Sequence, residues 1–330
     1  DKIGRMSTFS SREGIIEYLQ THRQATVPEL VDSLSITRQA LHRQLRRLVE
    51  RGELHKLGSS PRVFYTLPAV RERRLAETVS ETLRQTLEEN FLLVTPGGIL
   101  EAGLAGFSHW CERQHLPFAK TVREYLKTLT KYQAYKKNGL INGMFKVKQT
   151  FLKVFLDKLF YLDFYSLERF GKTRLGQLLL YAKQSQNRNL TKQLAAEIKP
   201  RVIDLIKRYR IEAVGFIPPT VRREVQLMRE LERRLDLPLP SLELVKVQTP
   251  VAVPQKTLSK LADRVENARE TIVVAERRQF GRILLLDDAL GSGATLNETA
   301  RKLKDQKVAK VVIGLAITGS FSGFEVISEV

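Results

Sequence analysis

Arg282-Ile-Leu-Leu-Leu-Asp-Asp-Ala-Leu-Gly-Ser-Gly-Ala-Thr-Leu296 is the stretch whose reading decides the fold of the C-terminal half. Its apolar run, Ile283 to Leu286, reads as a central parallel strand buried on both faces. The strand delivers two adjacent carboxylates, Asp287 and Asp288. A small turn then leads into a helix start through Ala289, Leu290, Gly291, Ser292, Gly293, Ala294 and Thr295. Gly291 and Gly293 allow the backbone to turn tightly with its N–H groups pointing inward, and Ser292 and Thr295 add hydroxyl donors at the positive end of the helix. A phosphate fits such a turn. Ionised carboxylates only accept hydrogen bonds, so the acidic pair suits a diol beside that phosphate. The pattern points to a sugar phosphate; the plainer alternative is an ordinary strand, turn and helix with a solvated acidic turn.

Working outward, the sequence from about Lys153 to Val330 alternates strands and helices. Strand candidates are 213–217, 242–247, 271–274, 283–286, 311–317 and 324–327, separated by helical stretches at 190–209, 221–235 and 295–304. This predicts an α/β domain over 153–330, a doubly wound parallel sheet with its ligand beyond the carboxyl ends of the strands.

The stretch 282–296 resembles the phosphoribosyl pyrophosphate (PRPP) motif of type I phosphoribosyltransferases, in which an acidic pair holds the ribose hydroxyls and the loop holds the 5′-phosphate. Within that group the likeness is to the ComF family, named for competence and DNA uptake, over roughly 153–330. Leu296-Asn-Glu-Thr-Ala-Arg-Lys-Leu303 is similar to the family's helix after the loop, and Pro254-Gln-Lys-Thr-Leu-Ser-Lys-Leu-Ala-Asp-Arg-Val-Glu-Asn267 resembles its flexible loop. The resemblance implies Asp287 and Asp288 as catalytic residues and 289–295 as the phosphate loop. It places Gln255, Leu258, Arg264 and Asn267 in the flexible loop, and Tyr165 and Lys183 around the first helix. The chain departs from the family after the first core strand, where Ile217-Pro-Pro-Thr-Val-Arg-Arg-Glu-Val-Gln226 keeps only Gln226 of a Gly-Phe-Asn-Gln run. Pro218, Pro219, Thr220, Arg222 and Arg223 are the candidates for the pyrophosphate side, the arginines as diphosphate partners. The family's N-terminal zinc module is missing, and no metal ligand is assigned to the protein. The implied chemistry is phosphoribosyl transfer with release of pyrophosphate, with Mg²⁺ bridging pyrophosphate and ribose oxygens.

Residues 11–67 read as a different domain. Ile15, Ile16 and Leu19 mark a first helix, Leu30 and Val31 a second over 27–34, and Leu41, Leu45, Leu48 and Val49 a third that opens at Thr37 and ends at Gly52. Leu54 to Leu57 and Val63 to Leu67 then alternate as two strands around Gly58-Ser-Ser-Pro61. The order resembles winged helix-turn-helix DNA-binding domains. The outward face of the third helix carries Arg38, Gln39, His42, Arg43, Arg46 and Arg47. Arg and Gln can read guanine and adenine edges while the other cations hold phosphates. Arg62 and Lys56 lie on or beside the wing, and duplex DNA is the expected partner; a protein-interaction module is the alternative.

Between the two lies 69–150, expected to be a helical connecting region. Leu75, Val79, Leu83 and Leu87 recur at four-residue spacing over 69–90, which suits a helix packed against core or against a second subunit in a homodimer. Gly97, Gly98, Gly103, Gly106, Gly139 and Gly143 read as breaks between the helices that follow.

Composition bounds these readings. A net charge of +19 over 330 residues predicts attraction to polyanions, nucleic acid first. No apolar run reaches the length of a spanning helix and no signal-peptide core opens the chain, so no membrane partner is expected. Cys111 is the one cysteine, which excludes an intramolecular disulfide and a Cys-rich zinc site and makes a reducing cytoplasm the default. Three functions follow: a DNA-binding phosphoribosyltransferase, a PRPP-sensing regulator that resembles the purine repressors in its two-part logic, and a ComF-like accessory protein in DNA uptake or processing.

Overall fold

The computed structural model describes residues 11–51, 53–59, 61–67, 79–219, 221, 223–247, 253, 258 and 260–320. Contacts divide the chain into two compact units, 1–89 with 94–110, and 90–93 with 111–330.

In the first unit, helices α1 (Ser11–His22), α2 (Val27–Leu34) and α3 (Arg38–Glu50) precede a hairpin of β2 (His55–Ser59) and β3 (Arg62–Thr66), with β1 (Gln24–Ala25) pairing on the far side of β3. Local chemistry sets the helix starts. Thr26 and Glu29 form a reciprocal capping box at α2, and the Thr37 hydroxyl accepts from Ala40 N–H at 3.3 Å to open α3. Ile15, Leu19, Leu30, Leu41, Leu45, Leu48 and Tyr65 close one apolar core. Gly58, expected in the turn, is paired with Val63 near the end of β2 and has φ +79°; a Cβ there would come within 2.3 Å of the Arg62 carbonyl oxygen, so only glycine fits. Further along come α4 (Glu81–Asn90), β4 (Leu92–Val94), β5 (Leu100–Ala102) and α5 (Gly103–Arg113). Leu75, from the four-residue apolar spacing, and Gly52, the expected stop of α3, lie outside the described residues. Val79 and Leu83 are half-buried, and Leu87 is buried.

The second unit is mixed α/β. After α6 (Phe118–Gln133) come β6 (Lys136–Lys137), β7 (Leu140–Asn142) and α7 (Met144–Thr150). Then follow β8 (Lys158–Phe164), a small ribbon of β9 (Ser166–Leu167) and β10 (Gly171–Lys172), and helices α8 (Arg174–Gln184) and α9 (Arg188–Tyr209). The remainder is β11 (Ala213–Phe216), α10 (Leu227–Leu235), β12 (Leu244–Lys246), α11 (Leu261–Thr271), β13 (Ile272–Val274), β14 (Phe280–Leu290), α12 (Ala294–Asp305) and β15 (Ala309–Gly319). A six-stranded sheet runs β11-β14-β15-β8-β7-β6, parallel from β11 to β8 and antiparallel across β7 and β6. Ile283, Leu284, Leu285 and Leu286 are fully buried at its centre.

Several expectations are corrected here. Strands at 242–247 and 271–274 were expected in the parallel sheet, but β12 and β13 pair antiparallel with each other as a separate ribbon. Residues 95–150, expected to be helical, also carry β5, which pairs with β4, and the hairpin β6-β7, which joins the main sheet. The turn of β6-β7 is Asn138-Gly139 with both φ positive, 53° and 74°, the geometry of a tight two-residue hairpin; Gly139 is a turn residue and not a helix break. Part of the segment assigned to a flexible loop, 261–267 of 254–267, lies in the helix α11. The strand expected at 324–327 lies outside the described residues. No helix among the described residues is long and apolar enough to cross a membrane.

Candidate functional site

The connections create one opening. After β11 the chain moves outward: Ser241 bridges Val214 in parallel, and Leu242 N–H donates to Val214 O at 2.8 Å. The chain then returns to place β14 on the opposite side of β11. The direction of winding therefore reverses between β11 and β14, which opens a crevice beyond their carboxyl ends. Ile217 N–H donates to Leu286 O at 2.9 Å, so the last paired residues of the two strands are followed at once by Pro218-Pro219 on one and by Asp287-Asp288 on the other.

β14 runs further than expected. Asp287, Ala289 and Leu290 remain paired with Ala316, Thr318 and Gly319 of β15, so Ala289 and Leu290 belong to the strand and the turn proper is Gly291 to Gly293. Gly293 has φ 80° and is the N-cap of α12, which supplies no side-chain cap of its own. Ser292 is buried, and its hydroxyl accepts from Ala294 N–H at 3.3 Å, which contributes to the helix start. Gly291 and Thr295 are the half-exposed members of the turn, and the space beside the Gly291 Cα is open to 4 Å. The end of a twelve-residue helix with free backbone donors and a bordering hydroxyl favours an anion.

Cations from distant parts of the chain face the acidic pair. Lys183, at the end of α8, donates to Asp288 Oδ2 at 2.5 Å. Arg223 donates to the Lys183 carbonyl, and Val225 N–H donates to Gln186 Oε1 at 2.9 Å, which ties the segment after β11 to the same helix end. Asp287 is half-buried; loss of water around it together with the Asp288 carboxylate raises its pKa, while Lys183 and Lys246 oppose the rise. Asp288 N–H donates to Asp287 Oδ1 at 2.8 Å, which also favours the ionised form. Lys246, on β12, is itself lowered to about 8, chiefly by burial and further by Lys302, with Asp287 pulling it back. Its Nζ lies 3.5 Å from Asn267 Oδ1.

The residues expected from sequence divide accordingly. Asp287, Asp288, Gly291 and Thr295 meet at one crevice, with Pro218, Pro219 and Arg223 on the neighbouring strand's exit. Thr220, Arg222 and Gln255 lie outside the described residues. Arg264, assigned to a mobile loop, is a buried residue of α11 whose Nε donates to Leu258 O at 2.7 Å, and burial lowers its pKa. Asn267 stands on the same helix. Lys246 escaped sequence reasoning; the available signal was the alternation in Leu242-Glu-Leu-Val-Lys-Val247, which sets the lysine on the same face as Leu242 and Leu244, opposite Glu243. Among the described residues no group of three or more His, Cys, Asp and Glu side chains could hold a metal. The acidic pair fits Mg²⁺ only as an ion that brings most of its oxygens from a bound diphosphate and water.

In the first unit, Arg38, Gln39, His42, Arg43, Arg46 and Arg47 all lie on the exposed face of α3, and Arg62 and Lys56 are exposed on the hairpin. Arg46 pairs with Glu50 at 3.1 Å along the helix.

No family model matches the chain, and no curated protein matches it. Among solved structures it is similar to a hypoxanthine phosphoribosyltransferase from Staphylococcus aureus, at 15% identity and a TM-score of 0.22. The match covers 41% of this chain and 63% of that enzyme, less than two thirds of its length.

Proposed function

We propose that the second unit binds PRPP, carried with Mg²⁺, at the carboxyl end of β14 and transfers its phosphoribosyl group, and that the first unit is a winged helix that holds duplex DNA. One observation carries the reading: an acidic pair and an anion-favouring helix start follow one another on β14 at the point where the sheet's winding reverses. In it, Asp287 and Asp288 accept from the ribose hydroxyls, and Gly291 and Thr295 hold the 5′-phosphate. Lys183, Lys246 and Arg223 face the diphosphate. Asp287 and Asp288 would help to hold the Mg²⁺ that PRPP carries, and the ion would supply positive charge to offset that on the leaving oxygen. The anomeric C–O bond to pyrophosphate breaks, a bond to an acceptor nitrogen or oxygen forms, and the acceptor's proton leaves to solvent or to a carboxylate. The resemblance of 282–296 to the PRPP motif of type I phosphoribosyltransferases supports this chemistry.

Calorimetry with PRPP and Mg²⁺, followed by a pyrophosphate-release assay across a panel of bases and amines, tests both steps on one sample. We expect metal-dependent binding and acceptor-dependent release. Binding without release for every acceptor would favour the second reading, a PRPP-sensing regulator, which gains support from the exposed arginine face in the same chain. Absence of any PRPP binding would remove both.

A further inference from the structure

α7 inverts the usual placement of side chains. Phe145 is 71% exposed while its neighbour Lys146 is only 7% exposed. Lysine is among the residues least often fully buried, and long apolar side chains fill such positions at lower cost. The Lys146 ammonium is spent on the strand ends that launch the phosphate turn: Nζ lies 3.4 Å from Leu290 O, 3.3 Å from Ser320 O and 3.1 Å from Ser320 Oγ. Leu290 and Gly319 are the last pair of the β14-β15 ladder, so the lysine spans both strands where the ladder ends. Peptide geometry puts the Gly291 nitrogen within about 6 Å of Nζ, since the amide nitrogen stands about 2.3 Å from the preceding carbonyl oxygen.

The rest of the segment is built onto the same turn. A Cβ on Gly293 would touch Val147 Cγ2 at 3.0 Å, which shows how closely α7 lies against the helix start. Asn297 of α12 is 1% exposed, accepts from Phe155 N–H at 2.8 Å and donates to Lys153 O at 3.1 Å, which fixes the chain that follows α7. A flexible lysine on a loosely held loop would be a solvated charge. This one is locked on both sides.

We propose that Lys146 is a positioning residue of the phosphate site, an inference that rests on the sugar-phosphate reading of the turn. Its buried ammonium holds the end of β14 and adds positive charge that favours a phosphate dianion at Gly291 to Thr295. Such a charge acts over several ångströms when water is excluded.

The full chain is titrated separately with ribose 5-phosphate, which reports the phosphate turn, and with Mg²⁺-pyrophosphate, which reports the opposite end of the crevice. Lys146→Met is expected to weaken ribose 5-phosphate binding about tenfold or more, the scale of one charge-assisted contact. It should leave pyrophosphate binding within about twofold of the unaltered chain by the same reasoning, and Lys146→Arg should restore most of the loss. Unchanged ribose 5-phosphate affinity in Lys146→Met, or equal weakening of both ligands, overturns the proposal. If Lys146→Met does not fold, Lys146→Gln, which keeps a donor without the charge, carries the same comparison with the same criteria. An unaltered chain that binds pyrophosphate but not ribose 5-phosphate overturns the inference alone, and one that binds neither overturns the sugar-phosphate reading with it.

Discussion

The arginines of α3 and the lysines around the end of β14 put the same sign of charge to opposite physical uses. On α3, four arginines stand in solvent, where each interaction is weak, screened by salt and additive over a long polyanion. Around β14, Lys183 and Lys246 are partly or largely removed from water, each facing a particular carboxylate, so single contacts are strong, and burial lowers the proton affinity of Lys246. A count of charges in the sequence sees the first arrangement and is blind to the second. The contrast also says how each should fail when perturbed: the exposed face by ionic strength, the crevice by loss of one atom.

The largest effect is expected from salt. If Arg38, Arg43, Arg46, Arg47, Lys56 and Arg62 all contact phosphates, duplex affinity should fall by about a thousandfold between 50 and 200 mM salt, while PRPP affinity changes only severalfold. Gel retardation and calorimetry over the same salt series compare the two directly. A flat DNA curve would mean that the exposed arginines are a solvated face or a protein contact.

Next comes the acidic pair. Asp287→Asn with Asp288→Asn removes two charge-assisted acceptors, each worth about 1.5 to 3 kcal/mol, so PRPP binding should weaken by about a hundredfold or more. Asp288→Asn also strips Lys183 of its carboxylate partner. Equal affinity of the double variant and the unaltered chain would break the assignment of the ribose site, and DNA binding by the first unit should stay as it was.

How much of this was legible in the sequence follows from what is local. The run Ile283 to Leu286, the acidic pair and the left-handed Gly293 are consecutive, so strand, turn and helix start could be read together. The first unit was equally local: Thr37 and the leucines at helical spacing define α3 within a few residues. β8, Lys158-Leu-Phe-Tyr-Leu-Asp-Phe164, was not among the strand candidates, and its neighbours β15 and β7 come from 309–319 and 140–142, far apart in the sequence. The β6-β7 hairpin was legible in principle, through Asn138-Gly139, and was passed over when Gly139 was grouped with helix breaks. Lys183 and Lys246 reach the acidic pair, and Lys146 the end of β14, from three separate segments. Only the sheet's connections reveal that they converge, which no spacing rule can supply.

A smaller effect is expected from pH. Lys246 is lowered from the usual 10.5 to about 8, first by burial. It is therefore charged below about pH 8 and loses its proton as pH rises through that value, whereas a bound diphosphate favours the charged form. Pyrophosphate affinity should then fall by about tenfold from pH 7 to 9, and Lys246→Met should flatten that limb. At the acid end the raised Asp287 gains a proton as pH falls and loses its capacity to accept from the ribose, so PRPP affinity should trace a bell. An alkaline limb that survives in Lys246→Met would assign it to another group.

The smallest effect expected is the coupling between the two regions, and it decides between the enzyme and the regulator. Every described residue of the crevice belongs to the second unit, and every residue of the arginine face belongs to the first. A ligand shifts an equilibrium only by as much as its contacts differ between two states, so PRPP, touching residues of one unit, has little means of distinguishing states of the other. Its saturation should change DNA affinity by less than about fivefold, below the range typical of allosteric coupling. The measurement is made twice, as duplex affinity with and without PRPP and as PRPP affinity with and without duplex. Linkage requires the two factors to agree, which separates true coupling from a change in ionic strength. A reciprocal factor well above five, together with no pyrophosphate released to any acceptor, would make the crevice a sensor and the arginine face its output.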